Sequence, residues 1–396
     1  MDGEITHVSN AHCSDDWSVA TPFGVRRAKR VRAFHASLPA YRPTVLWRLD
    51  GLAAKLGVGA LFVKDESTRF GLNAFKGLGG SYSVGRLLAQ RAGVPESDLT
   101  FGRLLQDDVR EIAKGLTIVT ATDGNHGRGI AWTARELGAS AVVYMPKGSS
   151  LERLENIRAL GAQAEIVDMN YDDAVRLAAK HAEERGWVLV QDTAWEGYED
   201  IPTWIMQGYT TLALEAVEQL GEEVPTHVFL QAGVGAMSGA VTAFIADRYR
   251  ESRPVVVIVE PNAADCVYRT AAADDGELHT VGGDLDTIMA GLSCGEPCSI
   301  GWQMLSRFAD CFVSVPDEIA ERGMRVLARP VGEDALIVSG ESGAVTTGFV
   351  VELMTNEALA GLRDAIGLGP DSKVLCVSTE GDTDHESYQR IVGGDC

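Results

Sequence analysis

A single lysine stands among small and apolar residues in the run Asn-Ala-Phe-Lys-Gly-Leu-Gly-Gly-Ser-Tyr at 73–82. Residues 61–64 before this run predict a buried strand, and residues 81–91 after it predict a helix. Glycines packed behind Lys76 would partly remove its ammonium group from water, and desolvation lowers the pKa of a lysine. Lys76 is therefore a candidate nucleophile for attack on a carbonyl group. A surface lysine is the simpler interpretation of the Phe-Lys pair taken alone.

A glycine-rich loop joins a predicted strand at 227–231 to a predicted helix at 240–249. Backbone N–H groups in such a loop can converge on an anion, and the start of the helix adds a favourable dipole. The spacing also suits a dinucleotide-binding fingerprint, for which Glu260, after the predicted strand 255–259, would be the ribose-binding acid. The loop consists of Gly233, Val234, Gly235, Ala236, Met237, Ser238 and Gly239.

A second strand-to-helix junction carries the run Thr-Ala-Thr-Asp-Gly-Asn-His-Gly-Arg-Gly at 120–129. Thr122 and the backbone amides after it lie where the start of a helix can hold a carboxylate. Asp123 has two interpretations, a site carboxylate or a helix N-cap. Asn125 can donate a hydrogen bond to a phenolate-like oxygen, and His126 is expected to be packed or solvated rather than catalytic.

Polar side chains also follow two further predicted strands. Asp192 comes after the strand at 187–190, either as a solvated loop carboxylate or as a site group. Ser378 and Thr379 end the strand at 373–378, where a hydroxyl group could bond a ring nitrogen or form a turn.

The elements that must position these residues alternate between strand and helix. Short apolar strands followed by helices that end at glycine predict a mostly parallel sheet covered by helices on both faces. The fold class is therefore α/β, with two domains that are each an open, mostly parallel sheet flanked by helices. Strands are predicted at 61–64, 116–121, 141–145, 164–167, 187–190, 227–231, 255–259 and 373–378. Helices are predicted at 25–36, 46–56, 81–91, 126–137, 150–160, 171–185, 204–220, 240–249, 300–308, 317–328 and 344–354; the rest of 1–40 is irregular.

The chain has 396 residues, which exceeds what one ordinary core accommodates. We expect a large cofactor-binding domain formed by residues 1–83 and 201–396, into which a small α/β domain at 84–200 is inserted. The lysine segment precedes the insertion and the glycine loop follows it, which predicts a site in the cleft between the domains.

The formal net charge of −21 opposes nucleic acid and anionic membranes as partners, because both require a basic surface. No apolar run approaches the roughly eighteen residues of a membrane span. The first twenty residues lack the apolar region of a secretory signal, so we expect a cytoplasmic protein.

Seven cysteines, an odd number, are spread along the chain in the manner of reduced thiols. Cys294 and Cys298 lack the further ligands of a zinc site, so no metal is expected. A Cys266–Cys294 disulfide remains open.

The motifs stand in an order that resembles the fold-type II pyridoxal-phosphate enzymes, which include serine and threonine dehydratases, threonine synthase and the tryptophan synthase β chain. The resemblance begins near residue 45 and extends to the C-terminus. It rests on Phe-Lys at 75–76, Thr-Asp-Gly-Asn-His-Gly at 122–127, the glycine loop, Val-Glu-Pro at 259–261, Glu-Ser-Gly-Ala at 341–344 and Ser-Thr-Glu-Gly-Asp at 378–382. Within this group the chain is similar to the diaminopropionate ammonia-lyases, on long runs at 73–81, 121–129, 191–198, 201–209 and 289–297.

This resemblance implies that pyridoxal 5'-phosphate is the cofactor and that Lys76 binds it covalently. It further implies that the loop from Gly233 to Met237 holds the phosphate, that Asn125 bonds the ring oxygen, and that Ser378 or Thr379 meets the ring nitrogen. A neutral hydroxyl partner leaves that nitrogen unprotonated, which favours elimination over transamination.

The implied reaction is α,β-elimination of ammonia from D- and L-2,3-diaminopropionate, which gives pyruvate and ammonia. Lys76 and Asp123 would be bases on opposite faces, Asp192 a supporting acid, and Thr122, Asp123 and Asp192 the substrate-binding residues. Dehydratases commonly carry a hydroxyl residue where this chain has Asp123, and a carboxylate there suits a substrate with a second amino group. Members of the family are commonly homodimers.

Two alternatives remain. One is a serine or threonine dehydratase, or another β-eliminating or β-replacing enzyme of the same fold. The other is a cofactor-holding regulatory protein that has lost catalysis, although the presence of both Lys76 and Asp123 argues against it.

Overall fold

The computed structural model describes residues 3–394, so the thiol expected at Cys396 and the outermost ends of the expected large domain lie outside the described residues. None of the described helices is both long enough and apolar enough to cross a membrane. The strands are β1 (Thr6–Ser9), β2 (Val45–Arg48), β3 (Ala60–Asp65), β4 (Thr117–Ala121), β5 (Ser140–Met145), β6 (Gln163–Ile166), β7 (Val188–Leu189), β8 (His227–Gln231), β9 (Val255–Pro261), β10 (Cys311–Val315) and β11 (Lys373–Ser378).

The α-helices alternate with these strands over most of the chain. They are α1 (Val25–Ala36), α2 (Asp50–Leu56), α3 (Gly77–Arg91), α4 (Phe101–Leu104), α5 (Asp107–Lys114), α6 (Asn125–Leu137), α7 (Leu151–Arg158), α8 (Tyr171–Arg185), α9 (Asp200–Leu220), α10 (Ala236–Tyr249), α11 (Cys266–Ala273), α12 (Ser299–Phe308), α13 (Asp317–Ala328), α14 (Glu341–Thr355), α15 (Ala360–Ala365) and α16 (His385–Gly393).

The strands of the described chain form two sheets. The larger has the order β1-β10-β9-β8-β11-β3-β2, and its inner strands are parallel while β1 and β2 pair antiparallel at the edges. The smaller has the order β6-β5-β4-β7 and is parallel throughout. The predicted α/β class, with mostly parallel sheets flanked by helices, is confirmed.

The sheet order explains how distant parts of the chain meet. β11 lies between β8 and β3 in the larger sheet, so the carboxyl ends of these three parallel strands lie next to one another. The lysine segment follows β3, the glycine loop follows β8, and the Ser-Thr pair ends β11. In the smaller sheet β4 and β7 are neighbours, and the segments that follow them carry the two aspartates, Asp123 and Asp192. Ligands of open α/β sheets bind at such carboxyl ends.

The sequence prediction is wrong at residues 46–56 and incomplete at the sheet edges. The expected helix at 46–56 is instead β2 followed by α2, because Val45–Arg48 pairs antiparallel with β3 and Trp47 Nε1 donates to Asp65 (3.2 Å). The unpredicted strands β1 and β10 pair with each other, so part of the region expected to be irregular belongs to the sheet. A short edge strand is stabilised by pairing with residues far away in the sequence. Its own residues therefore show only a weak strand pattern.

Helix α3, which begins directly after Lys76, packs tightly between α9 and α6. It begins at Gly77 rather than at the predicted residue 81. A Cβ atom added to Gly208 of α9 would lie 2.5 Å from Leu78 O, and one added to Gly129 of α6 would lie 3.0 Å from Gly77 N. Side chains at these two positions would push the helices apart. Glycine therefore allows α9 and α6 to pack closely against the start of α3.

Candidate active site

A cavity lies where the carboxyl ends of the two sheets meet. Small molecules and cofactors commonly bind in concave sites that combine apolar walls with a few polar groups. Among the sequence-predicted site residues, Lys76, Thr122, Asp123, Asn125, Asp192, Gly233, Val234, Gly235, Ala236, Met237 and Thr379 line it, whereas Ser378 does not.

Sequence reasoning did not name several residues of the cavity wall, among them Tyr171, Gln231, Gly291, Ser342 and Glu380. Gly291, Ser342 and Glu380 lie in runs that carry the family resemblance, so those runs were the available signal. Tyr171 and Gln231 sit at the start of a helix and the end of a strand, where the local pattern shows only the secondary structure.

Lys76 forms an ion pair with Asp192 in the cavity. The side chain of Asp192 is 3% exposed, and its Oδ1 accepts hydrogen bonds from Tyr171 Oη and Gln191 Nε2, each 3.2 Å away. Burial raises the pKa of Asp192, but the charge of Lys76 and the hydrogen bonds that the carboxylate accepts outweigh burial and hold that pKa well below its ordinary value. Asp192 is therefore an ionised group of the site and not a solvated loop carboxylate.

The prediction of a depressed lysine pKa is wrong. Burial lowers the pKa of Lys76 as expected, but the carboxylates of Asp192 and Asp123 raise it, and the net pKa lies above the ordinary value. The ion pair outweighs desolvation because it too is strengthened by removal from water. Lys76 is thus held charged beside Asp192 and must lose its proton before its amine can attack a carbonyl group.

His126 is packed in the wall, as the sequence suggested. Its Nε2 lies 2.8 Å from Val190 O and therefore donates, so Nδ1 is unprotonated and faces Asp192 Oδ2 at 3.8 Å. Burial lowers the pKa of His126, which keeps the ring neutral. Nδ1 has no hydrogen-bond partner within residues 3–394.

Asp123 is not an N-cap, so that interpretation is wrong. The N-cap position of α6 is Gly124, with φ +152°, and no side chain caps the helix. Thr122 Oγ1 instead accepts a hydrogen bond from Gly124 N at 2.9 Å. Asp123 Oδ2 is buried and has no partner among the described residues. Burial raises the pKa of Asp123 to about 6, against the lowering effects of Arg153 and Lys76. A carboxyl group with these properties suits proton transfer or the binding of an amine.

The glycine loop leads from β8 directly into α10, which begins at Ala236. Gly235 has φ +87°, a left-handed conformation that favours glycine. A Cβ atom added to Gly233 would lie 3.2 Å from Cys294 Sγ, so a side chain would narrow the cavity at this point. The N-terminus of the 14-residue helix α10 faces the cavity through residues 236–238 and favours an anion there.

The dinucleotide interpretation of this loop is wrong. Glu260 is fully buried, and its carboxylate accepts hydrogen bonds from Val267 N (2.9 Å) and Tyr268 N (2.6 Å) at the start of α11. Burial raises the pKa of Glu260 well above its ordinary value. The acid that would bind a ribose is thus turned away from the cavity into the protein core.

The two hydroxyl residues at the end of β11 face different surroundings. Thr379 lines the cavity, and its Oγ1 accepts a hydrogen bond from Gln231 Nε2 at 2.9 Å, which leaves its proton free to donate. Ser378 Oγ donates to Ser339 Oγ at 2.7 Å, outside the cavity wall. Of the two residues, only Thr379 lines the cavity.

The residues present fit pyridoxal phosphate. The cavity offers a lysine amine at Lys76, a glycine cradle at a helix start, an amide at Asn125 and a neutral hydroxyl at Thr379. Within residues 3–394 no group of three or more His, Cys, Asp or Glu is arranged to hold a metal ion. Cys266 and Cys294 are free thiols.

Comparisons with known proteins place this geometry in a family. A family model described as "Pyridoxal-phosphate dependent enzyme" matches residues 38–380. The chain is 52% identical to the diaminopropionate ammonia-lyase of Salmonella typhimurium over 366 residues, which cover 91% of each chain. It is 50% identical to that of Escherichia coli K12 over 372 residues, which cover 93% of this chain and 92% of the relative.

A solved structure of similar shape is the crystal structure of the Escherichia coli diaminopropionate ammonia-lyase in complex with an aminoacrylate-PLP azomethine reaction intermediate. It has a TM-score of 0.91 and 47% identity, and the match covers 98% of this chain and 97% of that one. The chain therefore belongs to the diaminopropionate ammonia-lyase family of pyridoxal-phosphate-dependent enzymes.

Proposed function

We propose that this protein uses pyridoxal phosphate to eliminate ammonia from D- and L-2,3-diaminopropionate, giving pyruvate and ammonia. The observation that carries the proposal is the second acidic group of the cavity. The Lys76–Asp192 ion pair alone would serve many reactions of this fold, but the buried oxygen of Asp123, which has no partner among the described residues, adds an acceptor for a second substrate amine.

The cofactor would be held by residues of both sheets. Lys76 would bind it covalently, the loop from Gly233 to Met237 would take the phosphate, Asn125 would bond the ring oxygen and Thr379 would meet the ring nitrogen. When bound, pyridoxal phosphate supplies an electron sink for the negative charge that develops at the substrate Cα.

The residues of this chain would supply binding and proton transfer. Thr122 and the N–H groups at the start of α6 hold the substrate carboxylate. Lys76 takes the Cα proton of one isomer and Asp123 that of the other, and Asp192 keeps the Lys76 side chain in place. The 3-amino group must leave protonated. Asp123, with a pKa of about 6, exists in both protonation states near neutral pH and can accept or donate that proton.

The proposal extends to assembly, location and domain organisation. Members of the resembling family are commonly homodimers, and we assign the same assembly and a cytoplasmic location to this chain. Six described cysteines are unpaired, which is the pattern of a reducing compartment. Strands β4 to β7 of the smaller sheet all lie within 84–200, and every strand of the larger sheet lies outside it, which supports an inserted small domain.

The test is a substrate profile of the purified protein. Pyruvate and ammonia release would be measured from D- and L-diaminopropionate, D- and L-serine and L-threonine, and the visible absorption spectrum recorded. We expect a visible cofactor band and faster turnover of both diaminopropionate isomers than of the hydroxy amino acids. Faster turnover of serine or threonine would identify a dehydratase, and a visible band without turnover of any substrate would identify a regulatory protein.

A further inference from the structure

Glu380 is a buried carboxylate of the cavity wall that the proposed mechanism does not use. We infer that Glu380 is a positioning residue that holds the amide of Asn125 with its N–H group directed into the cavity. The inference rests on the proposed function, because it assigns to Asn125 the hydrogen bond to the cofactor ring oxygen.

Three hydrogen-bond donors contact the buried carboxylate of Glu380. Glu380 is 1% exposed. Its Oε2 accepts hydrogen bonds from Asn125 Nδ2 and from Thr383 Oγ1 (3.2 Å), and its Oε1 accepts from Ser342 N (3.1 Å) at the start of α14. Both oxygens of the carboxylate therefore accept hydrogen bonds, and one of the donors is the side-chain amide of Asn125.

The backbone and the neighbouring glycines prevent Glu380 from moving aside. Glu380 forms an isolated bridge with Ala74, two residues before Lys76, and its carbonyl accepts from Gly340 N at 3.1 Å. A Cβ atom added to Gly340 would lie 3.1 Å from Glu380 Cγ, so the side chain runs closely over that glycine. The position of the Glu380 carboxylate is thus fixed relative to the groups that contact it.

The fixed carboxylate of Glu380 determines the orientation of the Asn125 side-chain amide. An ionised carboxylate only accepts hydrogen bonds, whereas an asparagine amide carries two N–H donors on one side and an acceptor oxygen on the other. The reversed amide would place Asn125 Oδ1 against Glu380 and replace a charge-assisted hydrogen bond by repulsion. Glu380 therefore selects the orientation in which one N–H binds the carboxylate and the second remains for a ligand.

The same hydrogen bond joins the two sides of the cavity. Asn125 is the first residue of α6, which follows β4 of the smaller sheet, and Glu380 follows β11 of the larger sheet. A side-chain bond across this boundary sets where the amide donor lies relative to the lysine segment and the glycine loop. Its loss would change cofactor binding without removing any group that touches the cofactor.

The experiment compares Glu380→Gln, Asn125→Ala and the double variant with the wild type. Each apo-protein is titrated with pyridoxal phosphate, and the visible band and the thermal unfolding temperature of the loaded protein are recorded. Glutamine keeps the size of the side chain, but it can either accept from the Asn125 nitrogen or donate to the Asn125 oxygen, so it removes the selection. Glu341→Gln is the matched control, because Glu341 is a 3% exposed carboxylate of α14 that accepts from Ser387 Oγ (2.6 Å) and lies outside the cavity wall.

We expect Glu380→Gln and Asn125→Ala each to weaken cofactor binding about 10- to 100-fold, the size of one hydrogen bond to a charged group. The visible band should move in the same direction in both, and the double variant should resemble Asn125→Ala because the two changes remove one interaction. Glu341→Gln should keep the affinity and the band of the wild type.

Two results would overturn the inference. One is an unchanged band and affinity in Glu380→Gln, even if its unfolding temperature falls. The other is a loss in the double variant equal to the product of the single losses, which would mean that Glu380 acts independently of Asn125. A wild-type protein without any visible band would instead overturn the proposed function, so the two failures are distinguishable.

Discussion

Lys64 and Lys76 lie on the same segment of chain, twelve positions apart, and each sits in a buried group of charged residues. The first group, here the Lys64 cluster, consists of Lys64, Glu66, Arg69 and Glu215. The second, here the site cluster, consists of Lys76, Asp123, Asp192, Arg153 and Glu380. Both contain lysine, arginine and carboxylates, yet they differ in what their polar atoms contact.

The charged groups of the Lys64 cluster are paired with one another and with neighbouring polar groups of the protein. Lys64 Nζ donates to Thr44 O (2.7 Å), Glu215 Oε2 (2.9 Å) and Gln219 Oε1 (2.9 Å), which uses its three N–H groups. Arg69 pairs with the carboxylates of both glutamates of the cluster. Its four side chains are at most 2% exposed, and their formal charges cancel.

The site cluster retains unused hydrogen-bonding capacity. Asp123 Oδ2 and Arg153 Nε are buried without a partner within residues 3–394, and the neighbouring His126 Nδ1 is in the same condition. Buried polar atoms are normally paired, so unpaired ones beside a cavity indicate where a ligand completes the set. The comparison teaches that burial of charge does not by itself mark a site, whereas incomplete pairing next to a cavity does.

The strongest test of the difference between the two clusters is the removal of each lysine in turn. Lys76→Ala should purify without the visible band of a lysine-bound cofactor and without measurable turnover, because no other lysine lines the described cavity. The absorption spectrum and a pyruvate assay measure both. Lys64→Met is the control and should keep the band. A Lys76→Ala protein that retained band and turnover would place the covalent bond elsewhere.

Asp123→Asn tests the unpaired carboxylate. The loss of one positioned base should lower the rate on the isomer that uses it by about 10²–10⁴-fold, and we expect that isomer to be the D form. The rate on the L form, served by Lys76, should fall much less. Steady-state rates on both isomers decide this.

The stability of Asp123→Asn and the pH dependence of the wild-type rate also test the role of Asp123. The unfolding temperature of Asp123→Asn should barely change, because Asp123 caps no helix. Burial raises the pKa of Asp123 to about 6, and a base must be unprotonated, so the wild-type rate on the D form should fall as the pH decreases below about 6. Equal, small losses on both isomers would contradict the catalytic role of Asp123.

Lys64→Met should act on stability rather than chemistry. The removal of one partner from a buried ion pair leaves an uncompensated charge and costs about 3–5 kcal/mol of the free energy of unfolding. The variant should therefore unfold at a lower urea concentration while the turnover of its folded fraction stays near that of the wild type. A large fall in turnover at unchanged stability would show that the Lys64 cluster takes part in the reaction.

Gly235→Val should have the smallest effect. With its control, it distinguishes backbone strain from a loss of cofactor binding. Valine is strained at φ +87°, at a cost of about 1–3 kcal/mol, and an added Cβ would lie 3.3 Å from Leu305 Cδ1 and Val267 Cγ2. The distorted loop should bind pyridoxal phosphate more weakly in a titration of the apo-protein. Gly57→Val is the matched control, because Gly57 has φ +76°, does not line the cavity and has no described atom within 4 Å of its Cβ position. Equal cofactor affinity in both variants would move the phosphate site away from the loop.

The sequence by itself determined most of the strand and helix pattern, the glycine loop and the segments that line the cavity. These features depend on local spacing, such as apolar residues followed by glycine, and on runs of residues that resemble a family. Lys76, Asp123 and the residues from Gly233 to Met237 all lie in such runs. Their chemical types are present in the chain whatever the fold does.

Only the tertiary structure decided the partners and the electrostatics. The pKa of Lys76 is raised rather than lowered because Asp192, 116 residues away, comes to lie beside it. Ser378 and Thr379 are adjacent in sequence, yet only Thr379 lines the cavity, because successive residues of extended chain point to opposite sides. Which side faces the cavity depends on how β11 pairs with β3 and β8, and charge interactions depend on distances that local sequence does not contain.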